Sequence, residues 1–238
     1  MEDELAASVD SILRDAWDVK SAQVIPETQD LGLGNEGRTL DATVLYADLA
    51  DSTELAIYDQ QIAAEVYKAY LLGTTKIIKA QGGEIRSFDG DRVMGVFMGK
   101  SKNTSAAKAA LKINYFFSYI LQPKFLSFYS HLESSSFKFG QSVGIDTGEI
   151  RIARAGVRVD NDLIWVGRVP NIAAKLSSIR EAGFSTYITD SVHNLLHQSA
   201  KLFNGENMWE NRLWPNGAKY GNNTVYRSSW WLKPSFNG

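Results

Sequence analysis

Residues 43–53 constrain the fold more than any other stretch of this chain. They begin with Thr-Val-Leu-Tyr, four β-branched, apolar or aromatic residues that favour a buried strand. The pattern breaks at Asp48, where small and capping residues lead into a long helical run. We therefore predict Asp48 where a strand gives way to a helix. That position suits a ligand for a hard cation, because a helix entrance offers free backbone N–H groups to a nearby phosphate.

A second stretch, residues 86–97, contains another carboxylate in a defined setting. Its Asp-Gly pair at 89 and 90 joins two strand-like runs, which is the strongest short signal for a hairpin in the sequence. Asp91 directly follows that turn. We predict that Asp48 and Asp91 converge on magnesium or manganese and on a nucleoside triphosphate.

The composition excludes several classes of function. A net charge of -2 over 238 residues argues against a general nucleic-acid binder. The absence of cysteine rules out disulfides and thiolate metal sites. The first residues are acidic, and no apolar run reaches about 18 residues. We expect a soluble, cytoplasmic protein with neither a membrane nor a nucleic acid as its partner.

The order of the elements predicts three regions. Residues 1–38 read as an N-terminal amphipathic helix over 3–19 and a linker. Residues 39–200 form the catalytic core, with a helix over 54–80 that glycine 73 interrupts, strands over 139–146 and 149–155 around a turn, and a helix over 170–180. Residues 201–238, rich in tryptophan, form a small aromatic β extension whose role we interpret as packing.

Four motifs in order carry a family resemblance. They are Y-A-D-L-A-D-S-T at 46–53, Gly-Asp at 90–91, G-I-D-T-G-E at 144–149 and G-R-V-P-N-I-A-A-K-L at 167–176. Together they resemble the catalytic domain of class III nucleotidyl cyclases. The resemblance implies an α+β fold with a ferredoxin-like βαββαβ core, in which helices pack on a mixed, mainly antiparallel sheet, and the small C-terminal β appendage is added to it.

The same resemblance implies a metal site. Asp48 and Asp91 would hold two Mn²⁺ or Mg²⁺ ions per active site, with the carbonyl of Leu49 as a further ligand. Hard oxygen ligands suit these ions, which neutralise a triphosphate and acidify an attacking hydroxyl. For Ser52 and Thr53, helix capping is the first interpretation, with contact to phosphate through backbone N–H groups as a second.

The resemblance also implies two catalytic residues on one helix. Asn171 matches the family asparagine that orients the ribose, and Lys175 stands where the family has a transition-state arginine. A spacing of four places both on one helix face. Lysine supplies a point charge without the bidentate fork of arginine.

Base selection departs from the purine pattern. Ser87 and Ile164 occupy the positions that read the purine, and neither matches a purine code. Tyr46 and Arg92, next to the metal aspartates in sequence, are similar to their counterparts in the pyrimidine cyclases of bacterial antiphage (Pycsar) systems. A guanidinium favours acceptors, and uracil presents two carbonyl groups where cytosine replaces one with a donor. We therefore favour UTP over CTP.

The resemblance further implies a homodimer with active sites between two chains, and a product that acts as a second messenger on a separate effector. Two other interpretations stay open: a cytidylate cyclase or an atypical adenylate or guanylate cyclase, and a non-catalytic nucleotide-binding module. Two buried carboxylates repel each other without a cation, which disfavours the non-catalytic module.

Overall fold

The computed structural model describes residues 1–132, 139–215, 217–221 and 224–235. The helices are α1 Glu2–Arg14, α2 Ser52–Tyr58, α3 Gln60–Ala80, α4 Lys102–Phe116, α5 Gln122–Phe128, α6 Arg168–Ser177, α7 Asp190–Asn194 and α8 Gln198–Lys201. The strands are β1 Asp18–Ser21, β2 Glu36–Ala50, β3 Glu84–Asp89, β4 Arg92–Phe97, β5 Gly140–Gly156, β6 Asn161–Val166, β7 Thr186–Thr189, β8 Leu202–Phe203, β9 Glu206–Asn207, β10 Glu210–Leu213 and β11 Thr224–Ser228.

One large sheet organises these elements. Its strand order is β10-β11-β7-β5-β2-β4-β3, with β6 paired to the far end of β5 and β1 paired to the start of β2. Only the β1–β2 and β5–β7 pairs in this sheet are parallel. The prediction of a mixed, mainly antiparallel sheet with helices packed on it is confirmed.

The two faces of the sheet have different coverings. Side chains of a strand alternate between faces, so Leu45 and Ala47 of β2 enter the core formed with α3 and α4. Val44 lies on the opposite face, where it packs with Val169 and Ala173 of α6. The alternation places Tyr46 and Asp48 on the α6 face as well. The side chains predicted to carry the chemistry thus share a face with the helix predicted to assist them.

Helix α6 lies very close to β5. A Cβ at Gly144 would stand 2.2 Å from the carbonyl oxygen of Ala173 and 2.3 Å from the backbone nitrogen of Ser177. Glycine is therefore required at this crossing, because a larger residue would push α6 away from the sheet.

The N-terminal region differs from the prediction. The helix predicted over 3–19 ends at Arg14. Residues 18–21 form β1, which lies beside the start of β2 and pairs with it in parallel, with Val19 opposite Gly37. Residues 18–21 pair with the backbone of β2 instead of continuing the helix that the spacing of apolar residues predicts. The strand β2 also begins at Glu36, inside the predicted linker.

The helix predicted over 54–80 is broken at another position than Gly73. Asp59 separates α2 from α3, and its carboxylate accepts hydrogen bonds from the backbone N–H groups of Gln61 and Ile62. This is an N-cap, which starts a new helix. Gly73 instead stays helical and lets the ring of Phe116 lie against the backbone of α3.

Two further boundaries were wrong. The turn predicted between 146 and 149 does not form, and β5 runs unbroken from Gly140 to Gly156 because β2 pairs with it along its length. The helix predicted over 170–180 begins two residues earlier and ends at Ser177, with Pro170 in its first turn.

The C-terminal residues contain the predicted strands, and two of these enlarge the main sheet. β11 pairs with β7 and carries β10 on its other edge, while β8 and β9 form a separate hairpin. Trp209 and Trp214 are buried against the body of the protein. Across the described residues, no helix has the length and apolar character that crossing a membrane requires.

Candidate active site

Asp48 and Asp91 lie close together at one end of the β2–β4 pair. β2 and β4 pair with Ala47 opposite Val93, so the end of β2 reaches the turn that carries Asp91. Burial raises the pKa of Asp48, and the negative charge of Asp91 raises it further. The Oδ2 atom of Asp91 is buried and has no hydrogen-bond partner within the described ranges. An uncompensated acceptor beside a second carboxylate is an arrangement that a cation would satisfy.

Arg180, which the sequence analysis missed, contacts this pair. Its Nη2 atom donates to Oδ2 of Asp48 at 2.9 Å and to the carbonyl oxygen of Leu49 at 3.2 Å. Its hydrogen bond lowers the pKa of Asp48 and opposes the effects of burial and of Asp91. The guanidinium thus bonds two of the three groups predicted as metal ligands. A carboxylate and a carbonyl oxygen that face a positive charge are donors of the kind that Mg²⁺ and Mn²⁺ take in proteins.

Tyr46 and Arg92 form a second pair beside the aspartates. The Cζ atom of Arg92 lies 5.4 Å from the centroid of the Tyr46 ring. The Tyr46 hydroxyl donates to Sδ of Met94 at 3.2 Å, a weak acceptor that a ligand oxygen could replace. Arg92 donates to Asp89 at 2.6 Å, while its Nε atom is buried without a partner in the described part of the chain.

The other predicted substrate positions lie apart. Ser87 is half-buried on β3 and Ile164 is exposed on β6, with three strands of the sheet between them. At about 4.8 Å per strand they are roughly 19 Å apart across the sheet, and the register places them level with Gly144 and Ala153 of β5, which adds roughly 30 Å along the strand. Ser52 and Thr53 open α2, and Asp51 precedes them with φ of 56°. Their backbone N–H groups are among those that an α-helix leaves without an internal acceptor.

Asn171 and Lys175 lie on the exposed side of α6. Nδ2 of Asn171 donates to the carbonyl oxygen of Gly167 at 2.9 Å, and Nζ of Lys175 lies 5.4 Å from the centroid of the Tyr220 ring. With Arg168, Ile172 and Tyr220 they line a cleft of about 550 Å³. Among the described residues, neither side chain has a hydrogen bond or ion pair to Asp48 or Asp91. One chain therefore holds two separate groups of predicted site residues.

The start of α6 is fixed by a buried carboxylate. Asp146 is fully buried on β5 and accepts a hydrogen bond of 2.6 Å from the Thr189 hydroxyl. Arg168 forms an ion pair with it at 3.1 Å. Burial raises the pKa of Asp146, whereas Thr189 and then Arg168 lower it. These contacts link α6 to β5 and β7, and the ion pair of Arg168 with Asp146 fixes the start of α6 against the sheet.

Comparison with solved structures identifies the fold. No family model matches the chain. The adenylyl cyclase CyaB from P. aeruginosa superposes with a TM-score of 0.65 at 20% identity over 85% of this chain and 98% of that one. The guanylyl cyclase Cya2 gives 0.63 at 18% identity over 84% and 97%. The dimeric guanylyl cyclase domain of RhoGC from Blastocladiella emersonii gives 0.58 at 16% identity over 80% and 97%. The fold is that of the class III nucleotidyl cyclases, as the motifs predicted.

Comparison of sequences is more specific. A protein named uridylate cyclase from Rhodovulum sp. is 39% identical over 100% of this chain and 99% of its own length. Proteins of the same name from Xanthomonas perforans and Burkholderia cepacia are 42% and 41% identical, each over 97% of both chains. The chain belongs to the uridylate cyclase family, and it is a nucleotidyl cyclase.

Proposed function

We propose that this protein converts UTP to 3′,5′-cyclic UMP and pyrophosphate with two divalent cations, in a homodimer whose two active sites lie between the chains. The observation that carries this proposal is the contact between Arg92 and Tyr46 beside Asp48 and Asp91, in a chain similar over its whole length to proteins named uridylate cyclase.

The base pocket is proposed around Tyr46 and Arg92. The buried Nε of Arg92 has a hydrogen to donate, and the Tyr46 hydroxyl can exchange the sulfur of Met94 for a better acceptor. Uracil offers carbonyl oxygens at C2 and C4, which match donors of this kind. Successive residues on one face of a strand are about 6.7 Å apart, so a base at Tyr46 lies close to a triphosphate at Asp48.

The metal site is proposed at Asp48, Asp91 and the carbonyl oxygen of Leu49. The unpartnered oxygen of Asp91 and the guanidinium on the other two groups support a cation there. Manganese or magnesium ions, when bound, would neutralise the triphosphate and favour ionisation of the ribose 3′-hydroxyl. Ser52 and Thr53 are proposed to donate backbone N–H groups to phosphate oxygens.

Asn171 and Lys175 are proposed to act on the ribose and on the reacting phosphate. The ribose 3′-oxygen loses its proton to solvent and attacks the α-phosphorus, whose bond to the bridging oxygen breaks as pyrophosphate leaves. The amide of Asn171 orients the ribose oxygen. The ammonium group of Lys175 balances the charge that develops on the α-phosphate oxygens. It does so as a point charge, where an arginine would offer a bidentate guanidinium.

A homodimer accounts for the separation of the two groups within one chain. Asn171 and Lys175 are exposed, and within the described ranges no hydrogen bond or ion pair joins them to the aspartates. A second copy is therefore proposed to bring its α6 to this metal site. Exposed apolar side chains on β6, Ile164 and Val166, support an interface on that side. The cyclic product is proposed to act as a messenger on a separate effector in antiphage defence.

The proposal is tested with a substrate panel. Purified protein is incubated with Mn²⁺ and each of the four ribonucleoside triphosphates, and the cyclic products are resolved by liquid chromatography and mass spectrometry. We expect cyclic UMP as the main product and none from the Asp48→Asn variant. Predominant cyclic CMP, AMP or GMP would contradict the substrate assignment. No product from any nucleotide would instead favour a non-catalytic binding module.

A further inference from the structure

Arg180 makes two sets of contacts that connect the metal site to α6. Its Nη2 atom binds Asp48 and the Leu49 carbonyl, while its Nη1 atom donates to the carbonyl oxygens of Ser177 at 2.6 Å and Ile179 at 3.2 Å. The latter carbonyls lie at and just beyond the C-terminal end of α6, where the helix dipole attracts a cation. The guanidinium therefore joins the end of β2 to the end of the helix that carries Asn171 and Lys175.

These contacts disfavour a cation on the same oxygens. A magnesium ion requires its ligands at 2.0–2.1 Å in octahedral geometry. The Nη2 hydrogens on Oδ2 of Asp48 and on the Leu49 carbonyl leave each oxygen a second lone pair, but they place a positive charge against the oxygens that the ion would bind. Like charges so close together repel. Arg180 and the metal therefore compete for Asp48 and Leu49.

The second aspartate is not held in this way. Oδ2 of Asp91 is buried and lacks a hydrogen-bond partner among the described residues, and Asp48 has Arg180 as its ion-pair partner. The side chain of Arg180 is itself 37% exposed, so water can take over its hydrogen bonds when an ion displaces it. The two carboxylates thus differ, because Asp48 is already paired with the guanidinium of Arg180, whereas Oδ2 of Asp91 is available to the ion.

We propose that Arg180 is a positioning residue that holds Asp48 and the Leu49 carbonyl in the metal-free protein, competes with the metal for them, and is released toward the triphosphate when the metal binds. The inference rests on the metal site of the proposed function. Release of the guanidinium also frees the end of α6, and the positive charge then lies beside an anionic substrate. Removal of Arg180 should therefore strengthen metal binding while it weakens the metal-free fold.

The experiment measures Mn²⁺ binding to the full chain without nucleotide, by isothermal titration calorimetry, and the melting temperature in EDTA. For Arg180→Gln we expect the dissociation constant for Mn²⁺ to fall by about threefold to tenfold. This is the effect expected when one partly exposed ion pair and one hydrogen bond no longer compete with the ion. The melting temperature in EDTA should decrease. Arg180→Lys keeps the charge and should restore both values toward those of the wild type.

Two controls separate this proposal from the proposed function. Arg38→Gln removes an equal charge from an ion pair with Glu36 at the other end of β2, and its affinity for Mn²⁺ should equal that of the wild type. Asp48→Asn should bind no Mn²⁺, and failure of that result would contradict the metal site itself. If the wild type binds Mn²⁺, an unchanged or weaker affinity in Arg180→Gln would overturn the role of Arg180. Absence of Mn²⁺ uptake in both the wild type and Arg180→Gln would contradict the metal site and the proposal that rests on it.

With UTP present, the released arginine has a second signature. If the guanidinium reaches the triphosphate, Arg180→Gln should raise KM for UTP with a smaller change in kcat, whereas a residue that only supports the fold would leave KM unchanged once the protein is folded. An unchanged KM at saturating Mn²⁺ would refute the second step.

Discussion

Replacement of Gly144 by alanine tests the packing on which the position of Asn171 and Lys175 depends. The added Cβ would lie 2.2 Å from the carbonyl oxygen of Ala173 and 2.3 Å from the nitrogen of Ser177. Ordinary contacts of a Cβ atom begin at 3.4 Å, so α6 must move by about 1 Å or more. Both atoms belong to backbone, so no flexible side chain can yield.

The size of the effect follows from that displacement. Overpacking of a core typically costs about 1–3 kcal/mol, and a clash with helix backbone on two atoms belongs at the upper end. In a protein of this length, about 3 kcal/mol corresponds to a decrease in melting temperature of roughly 6–12 °C. A displacement of about 1 Å in a catalytic group lowers the rate by around 100-fold. Gly144→Ala should therefore lose more activity than its folded fraction explains.

The assay compares thermal denaturation and cyclic-nucleotide formation at a temperature at which the variant is still folded. Gly34→Ala is the matched control, because a Cβ there meets nothing within 4 Å, and it should stay within about 0.5 kcal/mol of the wild type. If Gly144→Ala melted with the wild type and kept its turnover, α6 would not lie on β5 as described, and the derivation would be refuted.

Three further predictions follow from the site. When Asp48→Ala and Asn171→Ala homodimers are mixed and exchange subunits, half of the resulting dimers contain one chain of each kind and so have one complete site of two. About a quarter of wild-type activity should therefore return, and no recovery in a cyclase assay would contradict a shared site. Tyr46→Phe should lower kcat/KM for UTP by about two- to tenfold, the value of one hydrogen bond, while a pocket that uses only the ring would be unaffected. Burial and the charge of Asp91 raise the pKa of Asp48 above its unfolded value, so the ionised group destabilises the metal-free protein. Its melting temperature in EDTA should rise as the pH falls through the folded pKa of Asp48 toward the unfolded one, and Asp48→Asn should remove that part of the slope. A slope unchanged in Asp48→Asn would contradict the assigned cause.

The pairing of Asp48 with Asp91 could be anticipated because each residue has a local signal. One stands at the end of a strand and the other after an Asp-Gly turn, and neighbouring antiparallel strands bring such ends together. Tyr46 was singled out by the family resemblance, and its spacing of two from Asp48 keeps both side chains on one face.

The remaining features depend on contacts between distant residues. Arg180 lies 132 residues from Asp48 in sequence, and nothing around it marks a partner at the metal site. Tyr220 meets Lys175 only because β10 and β11 return to the main sheet. The missing turn near Gly148 has the same origin, since the pairing of β2 along β5 keeps that glycine within a continuous strand. Asp59 is different, because an aspartate before a helical run is a local N-cap signal, and here it divides the helix whereas Gly73 does not.

The position of β11 in the sheet determines which strand edge is exposed while the chain is being synthesised. β7 gains its outer neighbour only when β11 has been made, about 35 residues later, which takes a ribosome roughly two to seven seconds. During that interval β2, β4 and β5 can already pair around the aspartates, while the edge of β7 remains open. An open edge invites association with other strands. A nascent chain of this enzyme is therefore vulnerable to aggregation after the strands around Asp48 and Asp91 have paired, and a trapped or prematurely terminated product would expose that edge permanently.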